Sequence, residues 1–305
     1  MKPLKYLFIS SMLFVATSCG NSWLDLEPST SVDTETSIKI LSDVEFTLNG
    51  IYSTMQSSDA YSGRLVYYGD VTGDDMQAVS STKRVANYYR FNFTKDDNPS
   101  SHWSYLYSII QNCNLILMNI DKLAIDEEDK AYRDDLKGEA LAIRGLALFD
   151  LTRIFGYPYL KDNGASLGVP IIEGLSTIDS KPTRNTVAQC YTKIIDDLTQ
   201  SISLLGEKFN KGKINKWGAM VLLSRVYLYK GENANALKMA GDAITGAEKN
   251  KYALWTNEDY PTAWGEDASA SKPGEVLFEI VNLTTDSPGK ESMGYLNSYD
   301  GYDDM

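Results

Sequence analysis

Ala219–Ile244 reads AMVLLSRVYLYKGENANALKMAGDAI, and its spacing decides the fold. Leu223 and Tyr227 stand one helical turn apart, Gly231 interrupts the run, and Ala236, Ala240 and Ala243 return at helical spacing. Small residues on the second helix let it lie close against the first, while Leu223 and Tyr227 fill the seam. The stretch is therefore a helix–turn–helix unit, and such a unit buries its faces only against neighbours.

These are the spacings of a tetratricopeptide unit, with Ser224 where the repeat usually has Gly. Working outward, Lys130–Phe155 is the strongest helix in the chain. Leu136, Ala140, Ile143, Ala147 and Ile154 recur at about 3.6-residue spacing, and Gly156 and Pro158 end it. Thr186–Leu205 is also helical, but the loop Asp162–Arg184 separates it from Lys130–Phe155, so this pair reads as a degenerate unit at best. Further helices are read at Ser42–Met55, Trp103–Leu123, Ile214–Tyr229 and Asn233–Ile244. Asp43 and Glu45 suit the positive end of the first of these. Gln56–Ser101, rich in Ser, Asp, Gly and Tyr, reads as a loop, and Glu275–Val281 as a lone strand-like run. The expected fold class is mostly α: tetratricopeptide-like helical repeats with long irregular loops and little β.

The N-terminus carries a different signal. Lys2 and Lys5 precede the largely apolar Tyr6–Val15, and Ala16-Thr17-Ser18 places small residues before Cys19. That order makes a secretory signal rather than a spanning helix, for the apolar run is shorter than the ~20 residues a bilayer core requires. Cys19 at the junction resembles a bacterial lipobox, in which the cysteine sulfur is acylated, although Val15 replaces the usual Leu. The expected division is a signal peptide over 1–18, a lipid anchor and tether over 19–35, and a helical body over 36–305.

The chain has 305 residues and a formal net charge of −12, which argues against nucleic acid and against charge-driven adhesion to anionic lipid. Tyr is heavily used, 20 residues against 9 Phe, which suits sugar or peptide binding as well as packing. Cys113 and Cys190 read as small apolar helix residues, and no CxxC pair suggests zinc.

Taken in order, the motifs resemble the RagB/SusD family of Bacteroidetes outer-membrane lipoproteins. The resemblance begins at Trp23-Leu24-Asp25-Leu26-Glu27-Pro28 and Leu48-Asn49-Gly50-Ile51-Tyr52, then passes through Trp103, Tyr107, Ile110 and Asn114. Its most distinctive part is Gly138-Glu139-Ala140-Leu141-Ala142-Ile143-Arg144-Gly145, continuing through Phe149-Asp150-Leu151 to Phe155-Gly156-Tyr157-Pro158. Gly168-Val169-Pro170, Arg184, Tyr191, Ile195 and Asp197-Leu198 follow. The resemblance implies a lipid-anchored protein at the outer-membrane surface that captures glycans, or in some members peptides. It also implies a partner, a SusC-like TonB-dependent transporter to which the ligand is delivered, and no catalytic activity or cofactor. Family members usually continue past Met305, so the C-terminal part of the body is expected to be incomplete.

An enzyme reading finds little chemistry. The one histidine, His102, is expected to cap a helix or sit at the surface, and no G-x-S-x-G elbow is present. Asp74-Asp75 and Asp96-Asp97 are adjacent loop carboxylates, a weak basis for a glycosidase. Asn297, Asp300, Gly301 and Asp303 faintly resemble a calcium loop without its terminal Glu, so no metal site is assigned. Sugar capture needs aromatic faces beside hydrogen-bonding forks. Asp70–Arg90, with Asp74, Lys83, Arg84, Tyr88 and Tyr89, offers that mixture, as does the C-terminal stretch with Trp264, Tyr295 and Tyr299. Asp74, Arg84, Tyr88 and Tyr295 are the expected ligand-binding residues, whereas Trp217, Tyr227 and Tyr229 are expected to be core. The alternatives are a peptide-binding or purely protein-interacting repeat lipoprotein and, less favoured, a surface glycosidase.

Overall fold

A computed structural model describes residues 37–81, 83, 85–94, 100–177, 179–208, 210, 212–263, 274–282, 285, 289–291, 295 and 298. The signal segment, Cys19 and its tether, Arg84, Asp96, Asp97, Trp264, Asn297, Tyr299, Asp300, Gly301 and Asp303 lie outside them. The α-helices among the described residues belong to one compact unit, Ile38–Met305. They are α1 Leu41–Met55, α2 Arg64–Thr72, α3 Ala86–Tyr89, α4 Ser100–Asn119, α5 Lys130–Phe155, α6 Val187–Leu204, α7 Lys216–Lys230, α8 Asn233–Lys249 and α9 Tyr260–Ala263.

From α4 onward each helix packs on the next in chain order through α8, and α1 lies against α4. α1 starts where the Asp43 carboxylate accepts from the backbone amides of Lys39 and Ile40, at 2.8 and 3.0 Å, satisfying donors left open at a helix start. Val44, Leu48, Ile51 and Met55 then form its buried stripe.

The pair read as degenerate makes the most extensive helix contact in the molecule, α5 on α6. Gly138 and Gly145, two turns apart, share the face of α5 that meets α6. A Cβ at Gly138 would lie 2.8 Å from Leu205 Cγ, and one at Gly145 3.1 Å from Leu198 Cγ. Every residue from Gly138 to Thr152 is buried, so α5 is a central helix covered on all sides rather than one with a single apolar stripe. The long loop costs little, because loop-closure entropy grows only slowly with length.

Burying α5 buries its charges, and these are paired. Arg144 donates to both oxygens of Asp197 on α6, at 2.8 and 2.6 Å, and to Asn114 Oδ1 on α4 at 2.8 Å. Asn114 in turn donates to the carbonyls of Ile172 and Gly174 in the loop between α5 and α6. Tyr107 donates to Pro170 O at 2.7 Å, and Arg184 to the carbonyls of Phe155 and Gly168. Much of the ordered motif set is therefore scaffold: it ties three helices and one loop together.

α7 and α8 form the expected hairpin. Gly231 caps α7 at φ +83°, a left-handed conformation suited to Gly, and Leu223, Ala236 and Ala243 are buried in the seam. Ser224, standing where the repeat has Gly, donates to Ala236 O at 2.9 Å across the pair.

Two readings are corrected. Gln56–Ser101 is not uniformly loop: α2 and α3 pack together over a small core of Val71, Ala78, Val85, Ala86 and Tyr88. Its sparse apolar residues gather from either side of a turn, so no single periodic stretch shows them. Glu275–Val281 forms no strand, since among the described residues the one β contact is the isolated bridge Leu167–Thr186. Side-chain amides of Asn215 and Gln56 donate to the Leu277 and Val281 carbonyls instead. Cys113 and Cys190 are free and buried, as apolar helix residues. No helix among the described residues is long and apolar enough to cross a membrane.

Candidate functional site

Three helix faces converge on a cleft of about 670 Å³. α5 contributes Leu146, Asp150, Arg153 and Ile154, residues a whole number of turns apart, and α7 contributes Leu222, Arg225 and Tyr229 in the same way. α2 supplies Leu65, Tyr68 and Asp70, the preceding turn Tyr61, and the C-terminal segment Phe278 and Ile280.

At its floor lies Asp150, only 2% exposed. Tyr61 donates its hydroxyl to Asp150 Oδ2 at 2.8 Å, and Arg153 pairs with Oδ1. Burial, then the Asp150 charge, push the Tyr61 hydroxyl well above its ordinary pKa, so Tyr61 remains a donor. Arg225 stands 3.9 Å from Oδ1, beyond hydrogen-bonding reach. The Arg153 guanidinium lies 4.9 Å from the Phe149 ring centroid and 5.4 Å from that of Tyr229. Both Asp150 oxygens are engaged, by Tyr61 and by Arg153. The cleft offers aromatic faces beside guanidinium forks, a surface for binding.

Tyr229, expected in the core, is 46% exposed as a residue and lines this cleft. It sits one turn beyond Arg225, at the solvent edge of α7. Trp217 is buried and Tyr227 partly so, as expected.

The sequence-derived residues fall into two places. Asp74 is exposed in the turn after α2, at φ 65°. There the amides of Asp75 and Met76 both donate to Asp70 O. Tyr88 is 8% exposed, with the Tyr68 ring edge-on at 5.3 Å and Phe93 at 5.9 Å. Both belong to the α2–α3 unit, whose Tyr68 and Asp70 also form one wall of the cleft. Tyr295 is half-buried in the C-terminal segment, where its carbonyl accepts from Ser298 at 3.4 Å. Asp150, Arg153, Arg225, Tyr229 and Tyr61 escaped the sequence reading. The available signal was the Asp150/Arg153 pair, three apart in the otherwise uncharged stretch Gly145–Phe155 of α5.

His102 is neither cap nor surface residue: it is fully buried, with Nδ1 2.9 Å from Asp59 O. Its ring packs among Tyr68 and Tyr88, where α2 and α3 cover the start of α4, and burial lowers its pKa. A second cavity, about 350 Å³, is lined by Glu45, Tyr132, Asp135, Glu139 and Lys213. Burial raises Glu139 to about 7, against the opposing pull of Lys213 and a 2.8 Å hydrogen bond from Tyr52. Among the described residues no group of three or more His, Cys, Asp or Glu could hold a metal ion.

A sequence profile of the SusD-like family, described as "Starch-binding associating with outer membrane", matches residues 22–228. The chain belongs to the SusD-like family. A SusD-like protein of Formosa agariphila is 28% identical, matching over 99% of this chain and 57% of its own length. Another from Bacteroides ovatus is 25% identical over 78% of this chain and 42% of its own. The chain thus spans about half the length of these curated relatives. Among solved structures, a Bacteroides vulgatus protein named for sugar binding is 82% identical with a TM-score of 0.86, covering 88% of this chain and 60% of its own. A laminarin-binding SusD-like protein is 25% identical with a TM-score of 0.56, covering 66% of this chain and 43% of its own.

Proposed function

We propose that this SusD-like chain captures oligo- or polysaccharide at the cell surface without cleaving it, and passes it to a TonB-dependent outer-membrane transporter. The observation that carries the reading is the cleft between α2, α5 and α7. There the Tyr68 and Tyr229 rings stand beside Arg153, Arg225 and Asp70 in a space sized for a few sugar units. Relatives named for sugar and laminarin binding support the ligand class, and the family's description supports outer-membrane association. In this reading Cys19 carries the lipid, residues 19–35 form the tether, and 36–305 form the capturing body. Asp74 and Tyr88, on the same unit as the α2 wall, contribute to or support the glycan surface, with Arg84 and Tyr295 proposed to extend it.

Affinity electrophoresis of the protein without its signal segment, against a panel of neutral and acidic polysaccharides, tests the capture step. Retardation by at least one glycan, weakened about tenfold or more by Tyr229→Ala, is the expected result, as stacking rings carry much of such binding. No retardation by any glycan favours the peptide- or protein-binding alternative. Release of reducing sugar, lost in Asp74→Asn, favours the glycosidase. Delivery is tested by co-purification with the barrel protein, and anchoring by loss of Cys19→Ala from the membrane fraction.

A further inference from the structure

Resting on the capture reading, we infer that the cleft selects glycans bearing isolated uronic acid carboxylates, with Arg225 as the residue that recognises them. Asp150 receives Tyr61 on one oxygen and Arg153 on the other, so each oxygen already has a donor. Arg153 is likewise committed, to Asp150 and, at 3.5 Å, to the Tyr229 hydroxyl.

Arg225 differs. Its nearest carboxylate oxygen is 3.9 Å away, it makes no hydrogen bond, and its side chain is 44% exposed at the cleft wall. The guanidinium rests 5.6 Å from the Phe149 ring centroid, which positions the plane without using its donors. A planar fork of five N–H donors matches a carboxylate in bidentate fashion. Asp70 also lines the cleft, and its carboxylate can accept from sugar hydroxyls. The exposed Tyr229 ring, one turn from Arg225, supplies the stacking face.

Arg225 stands in a loose ion pair at 3.9 Å with its N–H donors unused, and one such fork holds one carboxylate at a time. The chain's net charge of −12 opposes a densely charged polyanion approaching from solution. The two facts together specify a mostly neutral backbone carrying sparse acidic sugars.

The test compares oligosaccharides that share a backbone and differ by one charge: xylo-oligosaccharides with and without one glucuronic acid, and methyl-esterified oligogalacturonides with and without a single free carboxylate. Isothermal titration calorimetry with wild type, Arg225→Gln and Arg225→Lys reads the affinities, and thermal melting checks that each variant is folded. The inference expects at least one singly acidic member to bind tenfold or more tighter than its neutral twin. That preference should vanish in Arg225→Gln and be partly retained in Arg225→Lys, which keeps charge but not the fork. Equal binding of both twins, or an acidic preference unchanged in Arg225→Gln, overturns the inference and leaves glycan capture standing. Binding of no member, together with no retardation by the wider glycan panel, overturns both.

Discussion

The α5–α6 seam and the α7–α8 hairpin are both antiparallel helix pairs, yet they are built oppositely. The hairpin has a short turn, a left-handed Gly231 and a legible small-residue pattern, but α8 buries only Ala236, Ala243 and Ala247. Its Leu237 is 77% exposed. The seam has a long, irregular connection, and it holds the most buried helix, two close-approach glycines and a hydrogen-bonded charge network. A local motif therefore announces a turn, whereas the core forms wherever the chain can bury the most surface, even across a long loop.

The largest test of that contrast is Asp197→Ala. It leaves Arg144 buried beside Asn114 with its main partner gone, and should cost about 3–5 kcal/mol in urea unfolding. The double replacement Arg144→Met with Asp197→Leu should recover most of that loss. If Asp197→Ala is as mild as a change on the outer face of α8, the seam is not the core of the fold.

A pH dependence distinguishes the regions next. Glu139 on α5 has its pKa raised by burial from 4.5 to about 7. The folded state then holds a proton that the unfolded chain releases, so this contribution is full below about pH 4.5 and is lost as pH rises toward 7. Thermal melts of Glu139→Gln should lack that fall. His102 works in the opposite direction: its pKa is lowered from 6.5, so its contribution is present above 6.5 and lost on acidification. His102→Gln should flatten the acid side.

The smallest test uses one substitution in two places. Gly145→Ala sets a methyl group 3.1 Å from Leu198 Cγ and should destabilise by about 1 kcal/mol or more. Gly241→Ala on α8 meets nothing within 4 Å and should stabilise by about 0.5–1 kcal/mol through helix propensity. Equal signs in chemical denaturation would erase the distinction between seam and hairpin.

The long helices were legible, while the short α2 and α3 were not. Lys130–Phe155 has the bounds read from its periodicity, and Thr186 caps α6 through a reciprocal bond pattern with Gln189 visible as T-x-x-Q. The family was legible too, and several residues of its motif set, Asn114, Arg144, Asp197 and Arg184, tie the helices and the loop together here. The candidate site was less so. Asp74 and Tyr88 brought attention to the α2–α3 unit, but Tyr88 spends its ring on packing, and Tyr229 was assigned to the core.

The sequence by itself determined the long helices, the turn at Gly231 and the family, because periodicity and hydrogen-bonding needs act over a few residues, whereas α2 and α3 emerged only in the structure. Only the tertiary structure decided that α5 and α6 form the main seam, and that Tyr61, Asp150, Arg153, Arg225 and Tyr229 share one cleft. Those residues lie up to 168 positions apart in the chain, and no local spacing rule relates them. Which exposed ring faces solvent and which fills a seam depends on the partner helix, so it is settled when the helices pack.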